Sequence, residues 1–463
     1  MEAAFDPNLP ARVESSWANF FRWLDDGLAV KSRQRLSDKL SVKGLGPLGD
    51  NSDPSQEYSL VAKVPLKAGE RVFEIDRSFV MSTKTATKDP ELLEFIREDS
   101  IASAMPNVVL VLHLLNEYSK KEKSFWWPYL SILPSTILPV LRLSKEKLSK
   151  LSVSSHIYEA LKMRRAIARQ YSYFVKTLEK SRLPLSKDLT FDYYCWGVSM
   201  VCSRHNEIPH LDKAGDPTLI HALIPVLDMC NHDPSLNQAI FENDKTILVA
   251  PSDLDEGHEI RINYGSRSSG DFYIHNGFVP EIVPADVVPL HLSLNKETSM
   301  YELKAKLLRM LNMSTFGRFM LPHNDYVNRH KRDPHLTMFL IVYTMTKQEL
   351  NFILNSDRPV TIADEIYEHV QYSSSVSHLD ESAQKSSRDK PKIDGIDIPA
   401  EDAGGMNVSA LKIRLSNRVG DHLSKRATVC IALIDRIFAD EPLDSEMTRL
   451  LEHERSIFET YVK

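Results

Sequence analysis

The stretch Leu223-Ile-Pro-Val-Leu-Asp-Met-Cys-Asn-His232, continued by Ile262-Asn-Tyr-Gly-Ser-Arg267 and Ile274-His-Asn-Gly-Phe278, decides the fold. Two short polar motifs, Asn231-His232 and Asn263-Tyr264-Gly265, lie inside apolar, strand-like sequence. Irregular backbone held by rigid strands has this appearance, and it is where binding and catalytic groups concentrate. Between the motifs, residues 239–242 and 246–249 flank Asn243-Asp244, a tight-turn dipeptide, which predicts a hairpin. Asp255-Glu-Gly257 predicts another turn before a strand over 259–264.

Working outward, residues 12–32 place Trp17, Phe20, Phe21, Trp23 and Leu24 on a helical repeat. Residues 43–57 form a loop by their Gly, Pro and Asn content. Tyr58, Leu60 and Ala62 alternate with Ser59, Val61 and Lys63, predicting a strand with one buried face, and 71–81 predicts a second strand. Residues 90–215 are mostly helical, with segments at 92–96, 108–118, 157–178 and 191–204 and an aromatic knot at Ser124-Phe-Trp-Trp-Pro-Tyr129. From Ser299 the pattern is helical again. Residues 372–407 are rich in Ser, Asp, Lys and Gly, cannot bury enough apolar surface to offset their ordering entropy, and are expected to be a mobile loop.

The chain's 463 residues suffice for two or three domains. Apolar residues make up 42% and charged ones 26%, as in ordinary globular proteins. Lys+Arg 57 against Asp+Glu 63 leaves no basic excess to drive nucleic-acid binding. Cys195, Cys202, Cys230 and Cys430 have neither metal-ligand spacing nor the density of a disulfide framework, so a reducing compartment and no metal are expected. No secretory signal is expected at the N-terminus, and no apolar run is long enough to predict a membrane span. Signatures of dinucleotide binding, phosphate-loop NTPases, serine hydrolases and zinc proteases are all missing.

Asn231-His232 alone is most often a turn, and a Tyr ending a strand is most often core or rim. The surrounding motifs give them weight. Ser124-Phe-Trp-x-Pro-Tyr129, Ala168-Arg-Gln-Tyr-x-Tyr-Phe174 and Arg204-x-Asn-x-Ile-Pro209 join Leu223-Ile-Pro-x-x-Asp-Met-Cys-Asn-His232, Tyr264-Gly-x-Arg-Ser268, Ile274-His-x-Gly-Phe278 and Leu411-Lys-Ile-Arg-Leu415. Together they resemble SET-domain protein methyltransferases of the class that includes the Rubisco lysine methyltransferase, and within it the actin-histidine methyltransferases.

The resemblance implies an α+β fold. A SET domain of small β-sheets with a pseudoknot-like crossing would span 57–298, split by a helical insert at about 90–215. An N-terminal helical extension and loop would occupy 1–56, and an all-helical substrate-binding domain 299–463. It further implies S-adenosylmethionine as cofactor, a histidine of actin as target, a cytoplasmic setting and a monomer, with no nucleic acid or membrane partner. A largely neutral imidazole already carries a nucleophilic nitrogen near pH 7, whereas lysine must first deprotonate from about 10.4.

Carried over residue by residue, Tyr264 and Asn206 would be catalytic, Tyr264 beside the transferring methyl group and Asn206 orienting the target. Arg204 would hold the cofactor's carboxylate. Arg12, Gln56, Glu57 and Tyr58, the run Asp228, Met229, Cys230, Asn231 and His232, and then Asn276, Gly277 and Phe278 would complete the cofactor site. Ile208, Ile224, Leu227 and Arg267 would join Asn206 and Tyr264 in contacting the substrate. The plainer reading of Asn206 is a helix C-terminal cap, and of Arg204 a solvated surface residue. Leu227 stands where the histidine-directed relatives carry Trp, which opens the apolar wall and gives a lysine target as the first alternative. A non-catalytic actin- or protein-binding module is the second.

Overall fold

A computed structural model of the chain describes residues 14–28, 35–44, 58–211, 215–242, 244–323, 333–376, 407–440 and 443–462. These fall into two compact units. The first draws on Met1–Lys145, Tyr158–Arg267 and Asp271–Pro284, the second on Glu146–Ile157, Ser268–Gly270 and Ala285–Lys463.

The first unit is a set of small sheets around a buried helix. Strand β1 (Leu40–Gly44) pairs antiparallel with β2 (Tyr58–Ala62). Strands β3 (Arg71–Asp76), β9 (Lys245–Val249) and β8 (Ile240–Phe241) form one three-stranded sheet in the order β3-β9-β8. Strands β4 (Met81–Ser82), β6 (Pro217–Leu223) and β5 (Asn206–Leu211) form another, in the order β4-β6-β5. Strand β7 (Asn231–His232) runs parallel to β10 (Arg261–Ile262). The hairpin expected around 243–244 is therefore present as β8 and β9, although Asn243 lies outside the described residues.

Helix α1 is Glu14–Leu28 and, after several shorter helices, the central helix is α2 (Pro106–Ser119). Pro106 opens α2 at a position where a missing N–H costs nothing. Every residue from Val108 to Glu117 is buried, because the helix is apolar nearly all round and must be covered on every side. Helix α3 (Ile157–Leu178) follows. Helix α4 (Phe191–Arg204) packs on α2 with Gly197 at the contact, where an added Cβ would come within 2.7 Å of Leu115. The Leu115 side chain fills the space that a larger residue at position 197 would need.

Strand β2 differs from the expected alternation. Ser59, Leu60, Val61 and Ala62 are all buried, so both faces of β2 are covered; the strand is also bonded at both edges, to β1 on one and from Leu60 and Ala62 to Ile260 and His258 on the other. A strand covered on both faces loses the period of two. Residues 206–211, expected in the helical insert, are instead β5. The helix stops at Arg204, and His205 and Asn206 begin extended backbone.

The second unit is helical, with one exception to the all-helical expectation. Strand β11 (Val287–Ser293) pairs antiparallel with β12 (Phe316–Pro322) over seven residues. These strands flank helix α6 (Tyr301–Met310) at a distance that hides the pairing from local pattern reading. Helices α7 (Pro334–Thr344), α8 (Lys347–Leu354), α9 (Pro359–Val376), α10 (Val408–Asp440) and α11 (Ser445–Glu459) complete the unit, whereas helix α5 (Ser269–His275) has Asp271–His275 in the first unit. Leu411, Leu415, Val419, Leu423, Ala427 and Ile434 form one buried stripe along α10. Thr346 and Glu349 close a capping box at the start of α8, and Glu349 also binds Arg418 of α10 at 2.6 Å. Residues 154–156 bind Glu454 of α11: Ser154 Oγ donates at 2.5 Å, the Ser155 amide at 2.8 Å, and His156 Nδ1 lies 2.8 Å away. Of the segment expected to be a loop, 372–376 belong to α9, and 377–406 lie outside the described residues.

Candidate functional site: a cavity where helix, strand and turn converge

The site is built from the end of α4, the start of β5, the turn after β6 and the strand β10. A cavity of about 330 Å³ opens there, lined among others by Arg204, Asn206, Leu227, Asp228, Tyr264 and Arg267. Thr190 caps the start of α4, its Oγ1 accepting from the Tyr193 amide at 3.2 Å, and the helix delivers Arg204 in its last turn. Strand β6 then leads into Val226, which is fully buried at φ 75° and ψ −50°. A β-branched residue in that region is strained, and such strain persists only where surrounding packing imposes it. The kink turns the chain into the short helical turn Leu227–Met229, bringing Leu227 and Asp228 to the cavity.

The buried polar groups form two sets, one around Asp228 and one around Tyr264. Arg204 donates to the Asp228 carbonyl oxygen, and the Tyr129 hydroxyl donates to the Asp228 carboxylate. The Arg204 Nε and the Asp228 Oδ1 are buried with no partner among the described residues. Burial pushes the Asp228 carboxyl up to about 6, against the lowering effect of Arg204 and of the Tyr129 hydrogen bond. Tyr264 donates its hydroxyl to the Cys230 carbonyl at 2.7 Å, while its amide donates to His232 Nδ1 at 3.2 Å. Burial pushes the Tyr264 phenol above its ordinary value, so it is neutral near pH 7. Burial also lowers His232, leaving an imidazole that can accept at Nδ1.

Next to Tyr264 stands an aromatic cluster. The His232 ring lies 5.1 Å from Tyr264 and 4.8 Å from Phe272, and Phe272 lies 5.5 Å from Phe278. Gly277, which ends helix α5, has φ +86° and donates its amide to the Phe272 carbonyl at 3.0 Å. This left-handed stop aims Phe278 back at the cluster. Asn231 donates to Glu259 at 2.7 Å, and the parallel pairing of β7 with β10 keeps both motifs in register. Arg267 donates to Asn276 Oδ1 at 2.7 Å, and Asn276 donates to the Ser203 carbonyl at 3.3 Å.

The structure thus brings Arg204, Asn206, Leu227, Asp228, Tyr264, Arg267 and Asn276 to one cavity, with Cys230 and His232 in contact with Tyr264. Ile208 and Ile224 are buried outside its lining. Met229 completes the helical turn. Tyr58 packs its ring 5.5 Å from Trp17 and does not line the cavity. Arg12, Gln56 and Glu57 lie outside the described residues. Asn206 Nδ2 donates to the Arg204 carbonyl at 3.2 Å, as its capping reading requires, and among the described residues its Oδ1 accepts no hydrogen bond.

Sequence reading passed over Tyr129, Glu259 and Gln238 as site residues. A signal existed for Tyr129, since a buried Tyr needs a partner for its hydroxyl, but that partner is 99 residues away. No group of side chains suited to a metal is present among the described residues. No described helix is long and apolar enough to cross a membrane.

Residues 57–265 match the family model described as SET domain. The actin-histidine N-methyltransferase of Danio rerio is 36% identical over 313 residues, 65% of this chain and 50% of that protein. That of Xenopus tropicalis is 33% identical over 313 residues, 66% of this chain and 52% of that protein. The chain therefore spans about half the length of the curated relatives it matches. Among solved structures, Rubisco LSMT bound to AdoMet superposes with a TM-score of 0.64 at 15% identity, covering 97% of this chain and 91% of that one. The SET domain of LSMT bound to lysine and AdoHcy gives 0.64 at 16%, covering 96% and 90%. At these identities the structural likeness speaks for the fold.

Proposed function

We propose that this chain, whose residues 57–265 match the SET-domain family model, is an S-adenosylmethionine-dependent protein-histidine N-methyltransferase acting on actin. The observation that carries the cofactor is the pair of unmatched buried atoms beside Tyr264. Arg204 Nε is a donor and Asp228 Oδ1 an acceptor, and the carboxylate and ammonium of one amino-acid end satisfy both. The aromatic cluster of His232, Phe272 and Phe278 offers an apolar wall suited to an adenine ring.

When bound, S-adenosylmethionine supplies an electrophilic methyl group on a sulfonium. The chain's own residues align and exclude. Tyr264, neutral and held by Cys230, narrows the passage between cofactor and target. Asn206 Oδ1 accepts the N–H of a neutral imidazole, which turns the other ring nitrogen, with its lone pair, toward the methyl carbon. Leu227, fully buried, keeps the wall behind the target dry. The target N–H proton rests against Asn206 Oδ1 and leaves to solvent after transfer. All four cysteines are free thiols, which fits a cytoplasmic setting.

Leu227 favours one second reading, a lysine target on the same scaffold, because an aliphatic wall gives an imidazole no flat partner. Incubation with methyl-labelled cofactor and either actin or a peptide around its target histidine, followed by mass spectrometry, decides the matter. Label on the histidine is expected. Label on lysine would establish the second reading, and no label on either substrate would leave a non-catalytic binding module.

A further inference from the structure

One face of the β5–β6 pair is open to solvent and apolar along most of its length. Side chains alternate along a strand, so Glu207, Pro209 and Leu211 share a face. Their cross-strand partners are His221, Leu219 and Pro217. Leu219 is 65% exposed and Leu211 46% exposed. The opposite face behaves normally, with Ile208 and Ala222 buried. Strand β5 is also the edge of its sheet. Edges and exposed faces are ordinarily blunted by charge, yet four of these six positions are Leu or Pro.

The face starts at the candidate site. Glu207 lines the cavity with Asn206, and the apolar positions continue from it in register, away from the cavity. We propose that this face is a docking surface for the folded protein substrate, gripping an apolar patch beside the target residue while the target side chain enters the cavity. The inference rests on the methyltransferase reading and adds a contact outside the pocket. Two features select a protein occupant. The strip is continuous with the cavity, so one substrate can fill both. It also bears no Lys or Arg, which a lipid surface would call for.

The test is the double substitution Leu211→Thr with Leu219→Thr, which keeps strand propensity and removes the apolar contact. Binding to the full chain is measured with labelled monomeric actin and with a labelled nine-residue peptide around its target histidine, alongside methyl transfer to each. The variant should bind actin about tenfold more weakly and raise its KM by a similar factor. Peptide binding and turnover should stay within about twofold. Equal effects on both substrates, or no effect on either, overturn the docking surface and leave the catalytic reading standing. If the unsubstituted chain neither binds nor methylates either substrate, the catalytic reading falls and takes this inference with it. Sedimentation of the unsubstituted chain as a dimer and of the variant as a monomer would overturn it differently, assigning the face to a second copy.

Discussion

Tyr264 and Asp228 line one cavity but respond to different perturbations. Tyr264→Phe removes the donor to the Cys230 carbonyl, costing about 1 kcal/mol of stability, a small change in Tm. Its effect on turnover should be larger, about a tenfold to hundredfold loss of kcat with labelled cofactor, since the phenol lines the narrowest part of the proposed passage. Unchanged kcat would remove Tyr264 from the machinery. Asp228 reports through pH. Its folded value of about 6 lies above the unfolded value of about 3.9, so its contribution to stability is full below about pH 4 and is lost as pH rises through 6. At pH 7.5 the ionised, buried carboxylate costs the cofactor-free protein about 3 kcal/mol. Asp228→Asn should therefore raise the Tm of the cofactor-free protein by a few degrees at pH 7.5 and leave it nearly unchanged at pH 4. Melting curves displaced equally at both pH values would contradict this. Arg204, Asn206, Leu227, Asp228 and Tyr264, which meet at the cavity, stood out in the sequence because they fall in short contiguous motifs. The Tyr129–Asp228 contact was not, since only the fold brings those two segments together.

Among the elements, the stop of helix α5 is the most exposed to a single change. Gly277 sits at φ +86°, and an added Cβ would approach Pro139 Cδ to 3.1 Å. Gly277→Ala combines the left-handed penalty with that contact and should cost about 1–2 kcal/mol, read as a lower denaturation midpoint at unchanged slope. Because the same turn aims Phe278, cofactor affinity should fall as well; an unchanged affinity would mean that Phe278 does not wall the site. The elements the sequence misjudged share one cause. Strand β2 is covered on both faces, β5 begins directly where a helix ends, and β11 finds β12 across an intervening helix. In each case the deciding partner is remote, and local periodicity carries no trace of it. The strain at Val226 was invisible for the same reason, as Val has no intrinsic preference for positive φ.

For the whole molecule, the order of segments along the chain matters more than any one contact. The second unit takes Glu146–Ile157 from the middle of the sequence, and residues 154–156 depend on Glu454 for their buried hydrogen bonds. A chain truncated after Pro284 keeps those residues and loses their partner. It should aggregate or melt well below the full chain, with size-exclusion chromatography as the readout; a monodisperse, cooperatively melting fragment would show the first unit to be self-sufficient. The same separation has a consequence during synthesis. Ser154 and Glu454 are 300 residues apart, and at roughly 5–20 residues per second about 15–60 s pass between the emergence of one and of the other. For that interval the nascent chain carries a polar segment whose burial awaits α11, so the buried hydrogen bonds of residues 154–156 form late in synthesis however early the segment itself emerges.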